Sequence, residues 1–291
     1  MNKQLFSGAC TALITPFCDG KIDYKSLDAL IEYQIDSNID AIVISGTTGE
    51  SPTLSYSEHR NLIKHAAKRI NGRTKLIAGT GSNDTAKALK MSKYATEYGA
   101  DGLLVVTPYY NKANKKGLIA HYEEIAKGCD KPIIVYNVPT RTCVNITPDI
   151  YKELEKIENI CGIKEASPNI SDMAQTANIC TLPIYCGNDD LLLPALSLGA
   201  CGIISVMSNI FPKQSLNICT LFSEGDIEGA RKIYFKYLKF AKLLFSDINP
   251  APIKAALAHA GFCKNQLRLP MVRADKLVEE EIVEEYKKLV E

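Results

Sequence analysis

"ICGIKEAS", residues 160–167, is an apolar run that carries a lysine, Lys164, near its end. Its apolar residues are continuous rather than alternating, the pattern of a parallel strand covered on both faces. An ammonium is costly to bury, so Lys164 has two readings. Either it lies just past the strand in water, paired with its neighbour Glu165, or it is held partly dry so that a neutral amine can attack a carbonyl carbon.

Seven further runs share this pattern: "GACTALITPF" (8–17), "AIVISG" (41–46), "KLIAGTG" (75–81), "GLLVVTPYY" (102–110), "PIIVYNVP" (132–139), "LPIYCGND" (182–189) and "CGIISVMSN" (201–209). Between them lie amphipathic stretches such as "DYKSLDALIEYQIDSN" (23–38) and "SEHRNLIKHAAKRI" (57–70), whose apolar positions recur at three and four residues. Strand and helix thus alternate about every 25 to 35 residues, and the crossover rule makes such units parallel and right-handed. Eight units predict an α/β fold closed as a (β/α)8 TIM barrel. A doubly wound open sheet competes, but no G-x-G-x-x-G follows the first strand, and "GTGSND" (79–84) lacks that spacing.

Beyond Phe211 the strand-like runs stop. Helical patterns take over in 224–245, 251–262 and 274–291, with "NPAP" (249–252) and "LRLPM" (267–271) as breakers. A barrel needs one helix after its eighth strand. Residues 1–224 are therefore assigned to the barrel and 225–291 to a C-terminal helical region packed on it.

Composition narrows the function. Lys and Arg total 34 against 33 Asp and Glu, so the net charge of +1 sets up no field for nucleic acid or an anionic membrane. Ten cysteines form no C-x-x-C pair, and four histidines show no H-E-x-x-H spacing. These read as core thiols in a reducing compartment, with no metal site. The leading stretch, residues 1–17, lacks a signal-peptide core and no run reaches eighteen apolar residues, so a soluble cytoplasmic protein is expected.

In a TIM barrel the active site lies at the C-terminal ends of the strands. There the chain offers Thr47 and Thr48 after strand two, Tyr109 and Tyr110 after strand four, and Tyr136 with Arg141 around strand five. Lys164 follows at strand six, Gly187 at strand seven and Ser205 at strand eight. "SGTTGES" (45–51) reads either as a turn with a helix cap or as a loop whose hydroxyls and amides hold a carboxylate. The tyrosines 109 and 110 suit packing or an interface; Tyr136 suits a proton relay; Arg141 suits an acid partner or a substrate carboxylate. From these residues alone two classes stay open: a lysine Schiff-base enzyme acting on a small anionic oxo compound, and a non-catalytic barrel that binds anions.

"TALITPF", "GTTGE", "VTPYYN", "YNVPTRT", "GIKEAS" and "LRLPM" occur in an order that resembles the dihydrodipicolinate synthase family, within the wider group that includes N-acetylneuraminate lyase. The likeness runs nearly end to end. It implies condensation of pyruvate with L-aspartate 4-semialdehyde on the diaminopimelate route to lysine, with no dissociable cofactor. By that resemblance Lys164 forms the imine and carries the enamine, and Tyr136 transfers protons in a relay completed by Thr48 and Tyr110. Tyr110 reaches into a neighbouring subunit of a homotetramer built as a dimer of dimers. Thr47 and Thr48 hold the pyruvate carboxylate, Arg141 receives the semialdehyde carboxylate, and Ile204, through its carbonyl, and Gly187 border the pyruvate end.

The runner-up is an N-acetylneuraminate lyase or a 2-keto-3-deoxy sugar acid aldolase. Arg141 and the Thr47–Thr48 pair favour the synthase, because an arginine suits a carboxylate and a sugar acceptor calls for neutral partners. Three positions depart from the family. Cys143 stands where glycine is common, so the loop beside Arg141 is expected to differ. The effector cleft of lysine-inhibited relatives corresponds to Ser51, Pro52, Tyr56, His59, Asn83, Lys87 and Tyr109. Lys87 replaces a glutamate there and Tyr56 a histidine, which predicts weak or absent inhibition by lysine.

Overall fold

Each apolar run yields one short strand, and its surplus turns into the loop at the strand's C-terminal end. The barrel strands are β1 (Gly8–Ala12), β2 (Ala41–Ile44), β3 (Lys75–Gly79), β4 (Gly102–Val106), β5 (Ile133–Asn137), β6 (Ile160–Glu165), β7 (Ile184–Cys186) and β8 (Gly202–Ser205), and a small antiparallel hairpin of Phe17–Cys18 and Lys21–Ile22 lies apart from them. All pair in parallel with their sequence neighbours, and β8 returns to β1 with Gly8 opposite Gly202 and Thr11 opposite Ser205, closing the barrel. The computed structural model describes residues 4–291; residues 1–3 of the leading stretch lie outside the described residues.

Two-sided burial explains the unbroken runs. Ile42, Ile44, Leu103, Val105, Ile133, Val135 and Ile163 face the surrounding helices in the larger core. Their neighbours Ala41, Val43, Leu104, Ile134 and Ile204 fill the barrel interior together with Cys10 and Tyr136. Strand side chains alternate between faces, so apolar packing on both sides demands apolar residues at every position.

The helices facing the barrel are α1 (Tyr24–Asp36), α2 (Tyr56–Ile70), α3 (Thr85–Glu97), α4 (Lys115–Lys127), α5 (Pro139–Thr142), α6 (Pro148–Leu154), α7 (Ile170–Ile179), α8 (Leu192–Ser197) and α9 (Pro212–Ser223). Short polar side chains start several of them: Asp23 accepts from the Ser26 N–H, Asp84 from Ala86 and Lys87, and Asn114 from Gly117. The helix after β8 is α9. Beyond it α10 (Ile227–Leu243) packs along α9 and α12 (Lys276–Val290), and α11 (Ala251–His259) packs on α12. Among the described residues no helix is long and apolar enough to cross a membrane.

Candidate active site

Lys164 lies within β6 rather than beyond it, opposite Tyr136 on β5 and Tyr185 on β7. It is 5% exposed, and its ammonium sits 4.3 Å from the centre of the Tyr136 ring. Its charge also reaches Cys10 on β1, where it opposes the strong upward push that burial gives the thiol. Glu165 points the other way, as alternation in a strand requires. Its carboxylate accepts from Asn137 Nδ2 at 3.0 and 3.2 Å, the Tyr151 hydroxyl at 3.0 Å and the Ser167 N–H at 2.8 Å. Burial pushes that carboxyl up against these hydrogen bonds. The surface ion pair read for Lys164 and Glu165 is thus overturned: both side chains are buried, on opposite faces.

The loop after β2 is bracketed by two left-handed residues, Ser45 (φ 60°) and Glu50 (φ 53°). Thr48 is buried and accepts a hydrogen bond from Asn249 Nδ2 at 2.9 Å, while Thr15 Oγ1 donates to the Gly49 carbonyl at 2.7 Å. Neither threonine caps a helix. That task falls to Ser55, which forms a capping box with Glu58 at the start of α2.

Glu50 anchors the loop to the C-terminal region. Its carboxylate takes a hydrogen bond from the fully buried Lys254 ammonium and another from the Arg268 N–H at 3.1 Å. Lys254 also donates to the Gln266 carbonyl at 2.9 Å and lies 4.3 Å from the centre of the Phe17 ring. Burial pulls the Lys254 ammonium down, against the attraction of Glu50.

Arg141 is exposed on α5 and donates through a guanidinium nitrogen to the Asn249 carbonyl at 3.2 Å. Together with Thr47 it lines a cavity of about 770 Å³ that also takes in all seven expected effector-cleft residues: Ser51, Pro52, Tyr56, His59, Asn83, Lys87 and Tyr109. Thr47 and Arg141, on the loops after β2 and β5, therefore border that cleft within the protomer. Lys87, Lys90 and Arg141 line it, and among the described residues no carboxylate does. Burial pulls His59 below its ordinary value, against the hydrogen bond that its Nε2 donates to the Gly79 carbonyl at 2.8 Å.

Tyr110 stands apart. It is 89% exposed, with φ at 73°, and among the described residues it makes no hydrogen bond to Tyr136 or Thr48. The three expected members of the relay are not joined within a single chain. Ile204 faces the barrel interior opposite Cys10. Gly187 sits where an added Cβ would lie 2.6 Å from that of Ala166, and its N–H donates to the Glu165 carbonyl at 2.7 Å. Ser205 is engaged elsewhere, donating to Asp189, whose carboxylate also accepts the Val206 and Met207 N–H groups. Cys143 adopts the left-handed conformation (φ 55°) at the end of α5 despite its Cβ, so at this residue the backbone does not depart from what a glycine would allow. Among the described residues no cluster of three or more His, Cys, Asp or Glu could hold a metal ion.

A family model described as the dihydrodipicolinate synthetase family matches residues 5–289. The chain belongs to that family. It is 43% identical over 286 residues to a 4-hydroxy-tetrahydrodipicolinate synthase of Alkaliphilus oremlandii, covering 98% of this chain and 99% of the relative. Identity to the synthase of Caldicellulosiruptor bescii is 47% over 270 residues, covering 92% of each. The crystal structure of dihydrodipicolinate synthase from Aquifex aeolicus superposes with a TM-score of 0.95 at 42% identity, covering 97% of this chain and 98% of that one.

The parts that sequence reasoning missed are those holding the mouth in shape. Asn249 lies in "NPAP", which reads only as a helix breaker. Lys254 had a usable signal: it is the one charged residue in the apolar stretch 251–258, the same anomaly that singled out Lys164.

Proposed function

We propose that this protein condenses pyruvate with L-aspartate 4-semialdehyde, the reaction of 4-hydroxy-tetrahydrodipicolinate synthases. The observation that carries the reading is a buried lysine in β6, beside a tyrosine at the mouth of a barrel of this family. Lys164 Nζ adds to C2 of pyruvate, and the carbonyl oxygen leaves as water to give an imine. Loss of a C3 proton yields the enamine. Its C3 forms the new carbon–carbon bond to the aldehyde carbon of the semialdehyde. The acceptor's own amine then adds to C2, and Lys164 departs as the free amine when the ring closes.

In this reading Tyr136 moves the protons, with Thr48 and a neighbouring subunit's Tyr110 completing the relay. Thr47 and Thr48 hold the pyruvate carboxylate, Ile204 and Gly187 border it, and Arg141 takes the carboxylate of the semialdehyde. The exposure of Tyr110 supports assembly of the protein as a homotetramer made of dimers, since a left-handed, solvent-facing tyrosine gains its stabilisation only when covered. Residues 1–224 and 225–291 act as barrel and appended helical region. Ten free thiols suit a reducing cytoplasm.

Borohydride reduction in the presence of pyruvate, followed by peptide mapping, is expected to mark Lys164. Turnover is expected with the semialdehyde and not with N-acetylmannosamine or small sugar aldehydes. An unmodified Lys164 in folded protein would defeat the mechanism, and turnover with a sugar alone would move the activity to an aldolase.

A further inference from the structure

Asn249 bonds to two substrate-facing elements of the mouth. Its side-chain Nδ2 donates to Thr48 Oγ1 at 2.9 Å, and its backbone carbonyl accepts from Arg141 at 3.2 Å. The residue is buried, and among the described residues its Oδ1 has no hydrogen-bond partner. A buried amide normally satisfies both ends, so an orphaned oxygen marks an orientation fixed by something other than its own needs. In that orientation Nδ2, not Oδ1, faces Thr48.

A hydroxyl has one proton and two lone pairs. When Asn249 donates into one lone pair of Thr48 Oγ1, the threonine's proton is left over and must point elsewhere. We propose that Asn249 is a positioning residue that orients the Thr48 hydroxyl, leaving its one proton free to be donated toward the Tyr136 hydroxyl. This rests on the role given to Thr48 in the proposed function. The neighbouring anchor of the same loop, Lys254 on Glu50, fixes the backbone and leaves the hydroxyl rotor unset; Asn249 sets the rotor.

The division of contacts predicts which constants change. Arg141 is held by the backbone carbonyl of Asn249, which survives side-chain replacement, so the acceptor end is insulated from the amide. N249A removes the donor. N249D is isosteric but its ionised carboxylate can only accept, so it captures the Thr48 proton and reverses the hydrogen bond.

The test compares wild type, N249A, N249D, T48V and the double variant N249A/T48V in steady-state kinetics, each confirmed folded by circular dichroism. N249A is expected to lower kcat/KM for pyruvate about tenfold, the scale of one lost hydrogen bond at a reacting group, with KM for the semialdehyde moving less than about twofold. N249D is expected to lose more than N249A although it conserves shape, and it covers the case in which alanine unfolds the segment. In the T48V background, N249A is expected to add little. Equal losses from N249A with and without Thr48, or pyruvate constants unchanged in both Asn249 variants, would overturn the assignment. Failure of borohydride to trap pyruvate on the wild-type enzyme would instead remove the proposed function, and this inference with it.

Discussion

Replacing Lys254 by methionine isolates the anchor beneath the Thr47–Thr48 loop. The wild-type ammonium is fully buried, bonded to Glu50 and to the Gln266 carbonyl, and set against the Phe17 ring. Methionine keeps most of the stem's volume. It leaves the Glu50 carboxylate buried, with only the Arg268 N–H at 3.1 Å on its other oxygen. Removing one partner of a buried pair leaves an uncompensated charge, which costs about 3–5 kcal/mol. For a domain of this size that is a fall in Tm of roughly 6–15 °C. Glu50 follows Thr48 by two residues in a left-handed conformation, so a rise in KM for pyruvate accompanies the loss of stability.

The double variant K254M/E50Q separates the pair from its parts. With the charge gone as well, the cost is expected to drop by about 1–3 kcal/mol relative to K254M, because no Glu50 carboxylate is then left buried without its cation. Urea unfolding followed by circular dichroism on wild type, both single variants and the double variant completes the cycle. A K254M protein within about 1 kcal/mol of wild type, or effects that simply add, would refute the view that a paired buried charge holds this loop.

Three further outcomes are expected. His121 is buried with Nδ1 on Thr85 and Nε2 unpartnered, and burial pulls it down from 6.5 to about 4. Between those values the unfolded chain holds the extra proton, so stability falls as pH drops. By pH 5 about 2 kcal/mol should be lost, and H121Q should flatten the urea-midpoint profile between pH 7 and pH 5; an unchanged slope would reject the assignment. An added Cβ at Gly79 would lie 2.3 Å from the Ser45 carbonyl oxygen, so G79A should destabilise by about 1–3 kcal/mol in the same unfolding assay and weaken pyruvate binding through the displaced loop. Finally, Lys87 projects into solvent near Asp84, Lys90 lies 5.0 Å from the Tyr56 ring, and among the described residues no carboxylate lines the cleft. Millimolar L-lysine should leave the initial rate unchanged, and half-inhibition at submillimolar concentration would contradict that electrostatic reasoning.

The barrel was legible because its physics is local. Burial on both faces forces uninterrupted apolar runs such as "AIVISG" and "PIIVYNVP", and any charge within one stands out, as Lys164 does. The placement of Thr47, Thr48, Tyr136 and Arg141 near strand ends followed from the architecture. What escaped was every contact made between distant parts of the chain. Asn249 meets Thr48 across 201 positions and Lys254 meets Glu50 across 204, and no periodicity encodes such pairs. The fate of Glu165 was likewise hidden, because its partners Asn137 and Tyr151 come from a neighbouring strand and from α6. Tyr110 was readable as an exposed aromatic, yet its left-handed backbone appears only in three dimensions.

Lys164 belongs to a strand of the closed barrel, whereas Arg141 rides on a four-residue helix in the loop that follows β5. On the proposed mechanism the nucleophile is thereby built into the part of the molecule least able to change, and the acceptor-binding arginine into a part that can be exchanged. Redesign can exploit that separation: grafting a different segment between Val138 and Asn145 would alter which aldehyde is accepted while leaving the carbon nucleophile intact. A library confined to those few positions would sample new acceptors without re-solving the folding problem.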